Sequence, residues 1–83
     1  MYNLVLSEQA QRDLARLDSP FRRQVEKRMD WLAEHADDIA AKALTGDWAG
    51  FFKLRAGDYR ILYQVKGETV LVLRIRHRRE VYE

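Results

Sequence analysis

The sequence predicts an α+β domain of order βααβββ, an N-terminal helical hairpin packed on one face of a twisted antiparallel sheet. Three observations predict it. Apolar residues recur at helical spacing between Ala10 and Ala36; from Phe51 the period changes to two; and glycine turns at Ala56-Gly57-Asp58 and Lys66-Gly67-Glu68 divide the remainder into three short strands.

Taken in order, Tyr2 to Leu6 is a short β-prone run. Ser7 offers an N-cap, and Ala10, Leu14 and Leu17 give the first helix one apolar stripe. Asp18-Ser19-Pro20 joins the helices, with Ser19 as cap and Pro20 at the first helical position, where a missing N–H costs nothing. Phe21, Val25, Met29, Leu32 and Ala36 continue the pattern, with Arg22, Arg23, Glu26, Lys27 and Asp30 on the other side. Asp37-Asp38 predicts a fresh cap for a short turn over residues 39–44, and Gly46-Asp47 reads as a turn. Strands are expected over residues 51–55, 59–65 and 69 to about 76. Trp31 and Trp48 read as core residues, and His35 as inert.

The 83 residues allow one domain, 1–83, and one core. A hydrophobic fraction of 47% with 34% charged residues suits a soluble globular fold. There is no cysteine, so disulfides and thiolate metal sites are excluded. The run MYNLVLSEQA carries no export signal, and no apolar stretch approaches the roughly 20 residues that span a bilayer. A cytoplasmic protein without a membrane partner is expected. The carboxylates are scattered and His35 and His77 lie far apart, so neither metal nor cofactor is indicated, and the glycines are isolated rather than gathered in a phosphate loop.

Charge is divided unevenly. Residues 1–41 hold six Lys/Arg against eight acids, a balance of −2, and residues 42–83 hold nine against five, a balance of +4. Lys53, Arg55, Arg60, Arg74, Arg76, Arg78 and Arg79 fall within residues 51–82, where Asp58, Glu68 and Glu80 are the only acids. Strict alternation places Val70, Val72, Arg74, Arg76 and Arg78 on one side of the last strand and Leu71, Leu73 and Ile75 on the other. A bulge past Arg76 would add His77 to the basic side. Taken singly, each arginine reads as a solvated surface charge. Gathered with so few acids, they read as a surface for a polyanion. Phe51 on that side, and Tyr82 beyond it, can stack on bases splayed from a single strand, with Arg74, Arg76 and Arg79 as phosphate contacts.

The runs KLRAGDYRILYQV (53–65) and VLRIRHRREVY (72–82), approached through LTGDWAGFFKLR (44–55), resemble the RelE/ParE superfamily of type II toxin–antitoxin toxins. The likeness spans nearly the whole chain and is specific in the combination of the two runs. It implies the βααβββ fold and, for the RelE branch, metal-free cleavage of mRNA in the ribosomal A site, with a cognate antitoxin covering the basic face. It maps the family's site onto Lys53, Arg55, Arg60, Arg78 and Tyr82. The best-known ribonuclease members carry a second lysine where this sequence has Phe51, which bears on cleavage rate. They often add a C-terminal helix, whereas this sequence ends one residue after Tyr82.

RNA brings its own nucleophile, the 2′-OH beside the scissile phosphate. An enzyme must take that proton, stabilise the charge gathering on the phosphorus centre and protonate the leaving 5′-oxygen. The planar, permanently charged fork of arginine suits the second task, and Arg60 and Arg78 are the expected clamps, with Arg55 beside them. Proton transfer falls to His77, Lys53 or Tyr82. The rival reading is a ParE-like toxin that binds DNA gyrase and cuts nothing; a third is a non-catalytic RNA-binding relative. Under either toxin reading an acidic, amphipathic antitoxin segment is expected to wrap the helical hairpin and approach the basic face.

Overall fold

In the computed structural model the chain is described at residues 2–43, 51–77 and 79; the side chains of residues 38–43 and of Phe51 lie outside the description. Its elements are β1 (Asn3–Leu6), α1 (Glu8–Ala15), α2 (Ser19–Ala43), β2 (Phe51–Ala56), β3 (Tyr59–Lys66) and β4 (Thr69–His77). They form one four-stranded sheet in the order β1-β4-β3-β2. The expected βααβββ order holds, but the sheet is mixed. β2–β3 and β3–β4 are antiparallel, whereas β1 runs parallel to β4, from Asn3 opposite Thr69 to Leu6 opposite Val72. The helices return the chain to the far edge of the sheet. β3 and β4 then come back one strand at a time, and two reversals leave β4 pointing the same way as β1.

The helix starts follow from local chemistry. Ser7 has extended backbone (φ −63°, ψ 164°) and its Oγ accepts the Ala10 N–H at 3.0 Å, capping α1. In α2 the Arg22 N–H bonds to the Asp18 carbonyl at 2.9 Å, so Asp18 opens the helix one residue before the expected cap. The helix then runs on to Ala43 without the break expected at Asp37-Asp38. Ala40, Ala41, Lys42 and Ala43 are strong helix formers, and exposed Asp37 accepts the Tyr2 hydroxyl, which raises the Tyr2 pKa. The turn expected at Gly46-Asp47, like Trp48, lies outside the described residues. Among the described residues no helix is long and apolar enough to cross a membrane.

Both hairpins turn on a glycine with positive φ, Gly57 at 63° and Gly67 at 58°, followed by an acid that keeps negative φ. That is the pattern of a II′ turn, with glycine at the first central position. Around Gly67 there is open space, but a Cβ on Gly57 would come within 2.6 Å of the Gln24 side-chain amide. The Gln24 side chain is exposed and can swing aside, so it is the positive φ that calls for glycine at position 57.

The core lies between the helices and one face of the sheet. Val25, Met29, Leu32 and Ala36 of α2, with Ala10 of α1, meet Ala56, Ile61, Tyr63, Val70, Val72 and Ile75. Burial pushes the Tyr63 hydroxyl pKa up to about 12. Two side chains depart from the expected stripe. Phe21 is 44% exposed and leans on Tyr59, with ring centroids 5.9 Å apart. Trp31 is 36% exposed rather than core; it is sandwiched between the Arg28 guanidinium, 4.4 Å from its ring, and the His35 ring, also at 4.4 Å.

On β4, strict alternation fails at one residue. Tyr63 faces Val72 but Leu62 faces Arg74, so Leu73 is an extra residue, a β-bulge. Before it the even-numbered Val70 and Val72 are buried; after it the odd-numbered Ile75 is. The expected grouping of Val70 and Val72 with Arg74 and Arg76 is therefore incorrect beyond Val72. The bulge exchanges the two faces of the strand.

Candidate nucleic-acid interface

With the faces exchanged, Arg76 of β4 stands opposite Arg60 of β3, and Arg60 stands opposite Arg55 of β2. Three adjacent strands, about 4.8 Å apart, thus place three arginines in one row across the sheet. Phe52, Leu54 and Ala56 turn toward the core, which leaves Lys53 on the same face as Arg55, two residues along the strand and opposite Leu62. Lys53 and Arg55 are exposed; Arg60 and Arg76 are half-buried.

The β2–β3 turn gathers two of these guanidinium groups. Arg55 Nε donates to the Gly57 carbonyl at 3.3 Å, and Arg60 Nη1 donates to the same oxygen at 3.4 Å and to the Tyr59 carbonyl at 3.2 Å. Two cations on neighbouring strands therefore share one neutral oxygen. These bonds are long, and the anionic oxygen of a phosphodiester is a far stronger acceptor than a carbonyl. β2 is held from the helix side as well, because Arg28 Nε donates to the Arg55 carbonyl at 3.0 Å.

The remaining expected residues divide. Arg74, expected to contact RNA, is engaged by Asp13: its Nε donates to Oδ2 at 2.9 Å and its Nη2 to Oδ1 at 3.4 Å. The reason is topological. β1 ends at Leu6 opposite Val72, and past that point α1 covers the outer edge of β4. Asp13 Oδ2 also accepts the Ile75 N–H at 3.0 Å, the donor a longer β1 would have taken. His77 is placed on the helix side, edge-on to its cross-strand partner Tyr59 at 5.4 Å, because the bulge lies at Leu73 and not past Arg76. Its Nδ1 accepts the Arg79 N–H at 3.3 Å, and the Arg79 side chain is exposed. Phe51 pairs with Gln64 through its backbone; its side chain, and all of Arg78 and Tyr82, lie outside the described residues.

Sequence reasoning missed Asp13. The residue is 7% exposed, and burial by itself would raise its pKa; the Arg74 guanidinium, the Ile75 N–H and the Gln9 side-chain amide outweigh that and lower it. A signal existed, since Asp13 adjoins Leu14 and follows Ala10 by one helical turn on the buried side. A carboxyl with a native pKa below its unfolded value of about 3.9 stabilises the fold fully above that value, and the contribution is lost as pH falls through the lowered native pKa. Urea melts of the wild type and Asp13→Asn from pH 6 to pH 2 should therefore converge as pH falls, the wild type losing the difference below about pH 4. A constant gap across that range would show that the carboxylate's charge does not support the fold.

Known proteins share this fold. Residues 4–82 match the family model of the ParE toxin of type II toxin–antitoxin systems, parDE. The isolated E. coli RelE toxin superposes with a TM-score of 0.71 and 32% identity, covering 99% of this chain and 92% of that one. The toxin in the intact E. coli RelBE toxin–antitoxin complex gives 0.69 and 31%, covering 93% and 96%. The toxin RelG of Mycobacterium tuberculosis is 44% identical over 43 residues, 49% of each chain, so the match spans about half of that relative. The chain belongs to the RelE/ParE superfamily of type II toxin–antitoxin toxins. Within that superfamily it is RelE-like in sequence and fold.

Proposed function

We propose that this toxin is a ribosome-dependent mRNA endonuclease that cleaves by attack of the 2′-OH on the adjacent phosphate. The observation that carries the reading is the cross-strand row Arg55–Arg60–Arg76, with Lys53 beside it. A phosphate passing through pentacoordination gathers negative charge on its non-bridging oxygens, and preorganised guanidinium groups stabilise that charge at little reorganisation cost. Arg60 is the principal clamp, Arg55 and Arg76 flank it, and Arg78 completes the set by resemblance. Lys53, on the same face, suits proton transfer at the 2′-OH or the leaving oxygen, a task shared with Tyr82; the packing of His77 against Tyr59 leaves it a supporting part. Phe51 and Arg79 serve base stacking and backbone contact. No step requires a metal.

An antitoxin partner follows from the same surface. Solved relatives include the RelBE complex of E. coli, and an acidic amphipathic segment would neutralise the row while covering exposed apolar groups on the helices, of which Phe21 and Trp31 are two. The second reading, gyrase binding, is favoured by one observation, the match to the ParE family model. One pair of assays separates them: cleavage of mRNA on programmed ribosomes, and supercoiling by gyrase. The proposal expects cleavage with supercoiling untouched. Inhibited supercoiling without cleavage would transfer the function to the second reading, and neither effect would overturn both.

A further inference from the structure

The bulge at Leu73 is held from one side by two residues of a single helical segment. The Ser7 hydroxyl donates to the Leu73 carbonyl at 2.8 Å, and the Ser7 N–H donates to the Val72 carbonyl at 2.9 Å. Two residues further along β4, Asp13 accepts the Ile75 N–H and grips Arg74 through both carboxylate oxygens. Ser7 thus holds the extra residue and the one before it, and Asp13 the two after it.

That placement matters because of what the bulge does. Val70 and Val72 fix even-numbered residues of β4 in the core. Continued without interruption, the same alternation would turn Arg74 and Arg76 toward the helices and Ile75 toward the open face. The extra residue at Leu73 is what sets Arg76 opposite Arg60 instead. A bulge leaves local donors and acceptors without ladder partners, so it persists where other groups satisfy them.

We propose that Asp13, with Ser7, is a positioning residue of the RNA-cleaving site: the two side chains pin the β4 bulge and so hold Arg76 in the arginine row. Asp13 reaches no RNA atom; it acts through the strand. The inference rests on the endonuclease reading for its effect on rate, but not for its effect on strand register.

The test uses the full chain as Asp13→Ala, Asp13→Asn and Ser7→Ala, with two readouts. The first is kcat and KM on mRNA-programmed ribosomes; the second is the set of cross-strand NOEs for the Arg60–Arg76 and Tyr63–Val72 pairs. Asp13→Ala should keep the Tyr63–Val72 contacts, lose those of Arg60–Arg76 and lower kcat by about a hundredfold with little change in KM, as expected when a reacting group is misplaced by an ångström. Asp13→Asn, which retains an oxygen for the Ile75 N–H, should restore the Arg60–Arg76 contacts and most of the rate. Ser7→Ala should weaken the same contacts. Intact Arg60–Arg76 contacts in Asp13→Ala, or an Asn variant as slow as the Ala variant with its register intact, would overturn the proposal. Should Asp13→Ala not fold, the Asn and Ser7→Ala pair decides. Should the wild type cut no mRNA, the endonuclease reading fails, and the NOEs alone then decide whether Asp13 sets the register.

Discussion

Arg60→Ala is expected to lower ribosome-dependent mRNA cleavage by at least about a hundredfold, the usual cost of removing one preorganised donor from a developing anion, while the fold survives with its melting temperature lowered by about 8 °C at most. The second half follows from the bonds Arg60 makes in the free protein. Its guanidinium donates to the Gly57 and Tyr59 carbonyls at 3.4 and 3.2 Å, at the long end of hydrogen bonding and next to the half-open face of the sheet. Losing such bonds costs about 1 kcal/mol or less. Arg60→Lys keeps the charge but not the planar fork, and should recover only part of the rate. Single-turnover cleavage on programmed ribosomes, with thermal melts run beside it, checks both halves. An Arg60→Ala protein that cuts at the wild-type rate would remove Arg60 from the site.

Leu32→Ala is expected to have the opposite profile. Leu32 is fully buried between α2 and the sheet, among Val25, Met29, Ile61 and Val70. Truncating it removes apolar contact and leaves a cavity that the surrounding helix and sheet close only in part, at a cost of about 2–5 kcal/mol. A domain of this size holds roughly 4–12 kcal/mol of stability in all, so the variant loses a large share of it. The urea midpoint should fall steeply while the rate per folded molecule stays near that of the wild type. Both variants would then lose toxicity in cells, one through the site and one through abundance, and denaturation separates the two causes. A Leu32→Ala midpoint within experimental scatter of the wild type would show that this position is not packed as described.

The architecture was legible in residues whose chemistry is local. Ser7 caps α1, Val25, Met29, Leu32 and Ala36 mark the buried stripe of α2, and Gly57 and Gly67 mark the two turns. The parallel β1–β4 pair was not legible, because side-chain alternation records faces and not strand direction. The bulge was hidden for a related reason. Val70 to Leu73 is apolar at every position, so it carries no phase, and the alternation of Arg74, Ile75 and Arg76 was joined to it out of step. Asp37-Asp38 resembled a helix start because aspartates cap helices, but the alanines beyond them continue the one already formed. Of the candidate site, Lys53, Arg55, Arg60 and Arg76 were legible as a basic face. The commitment of Arg74 to Asp13 and the turn of His77 toward Tyr59 both depend on the bulge.

The arginine row serves cleavage only if a phosphate of mRNA rests against it. The most direct measurement is a structure of the toxin on a ribosome whose A-site codon carries 2′-O-methyl groups, which block the nucleophile and hold the substrate uncut. A backbone phosphate is expected within hydrogen-bond reach of Arg60 and at least one of Arg55 and Arg76. A toxin seated with its helices toward the codon, or with that phosphate held by other residues, would contradict the proposed site.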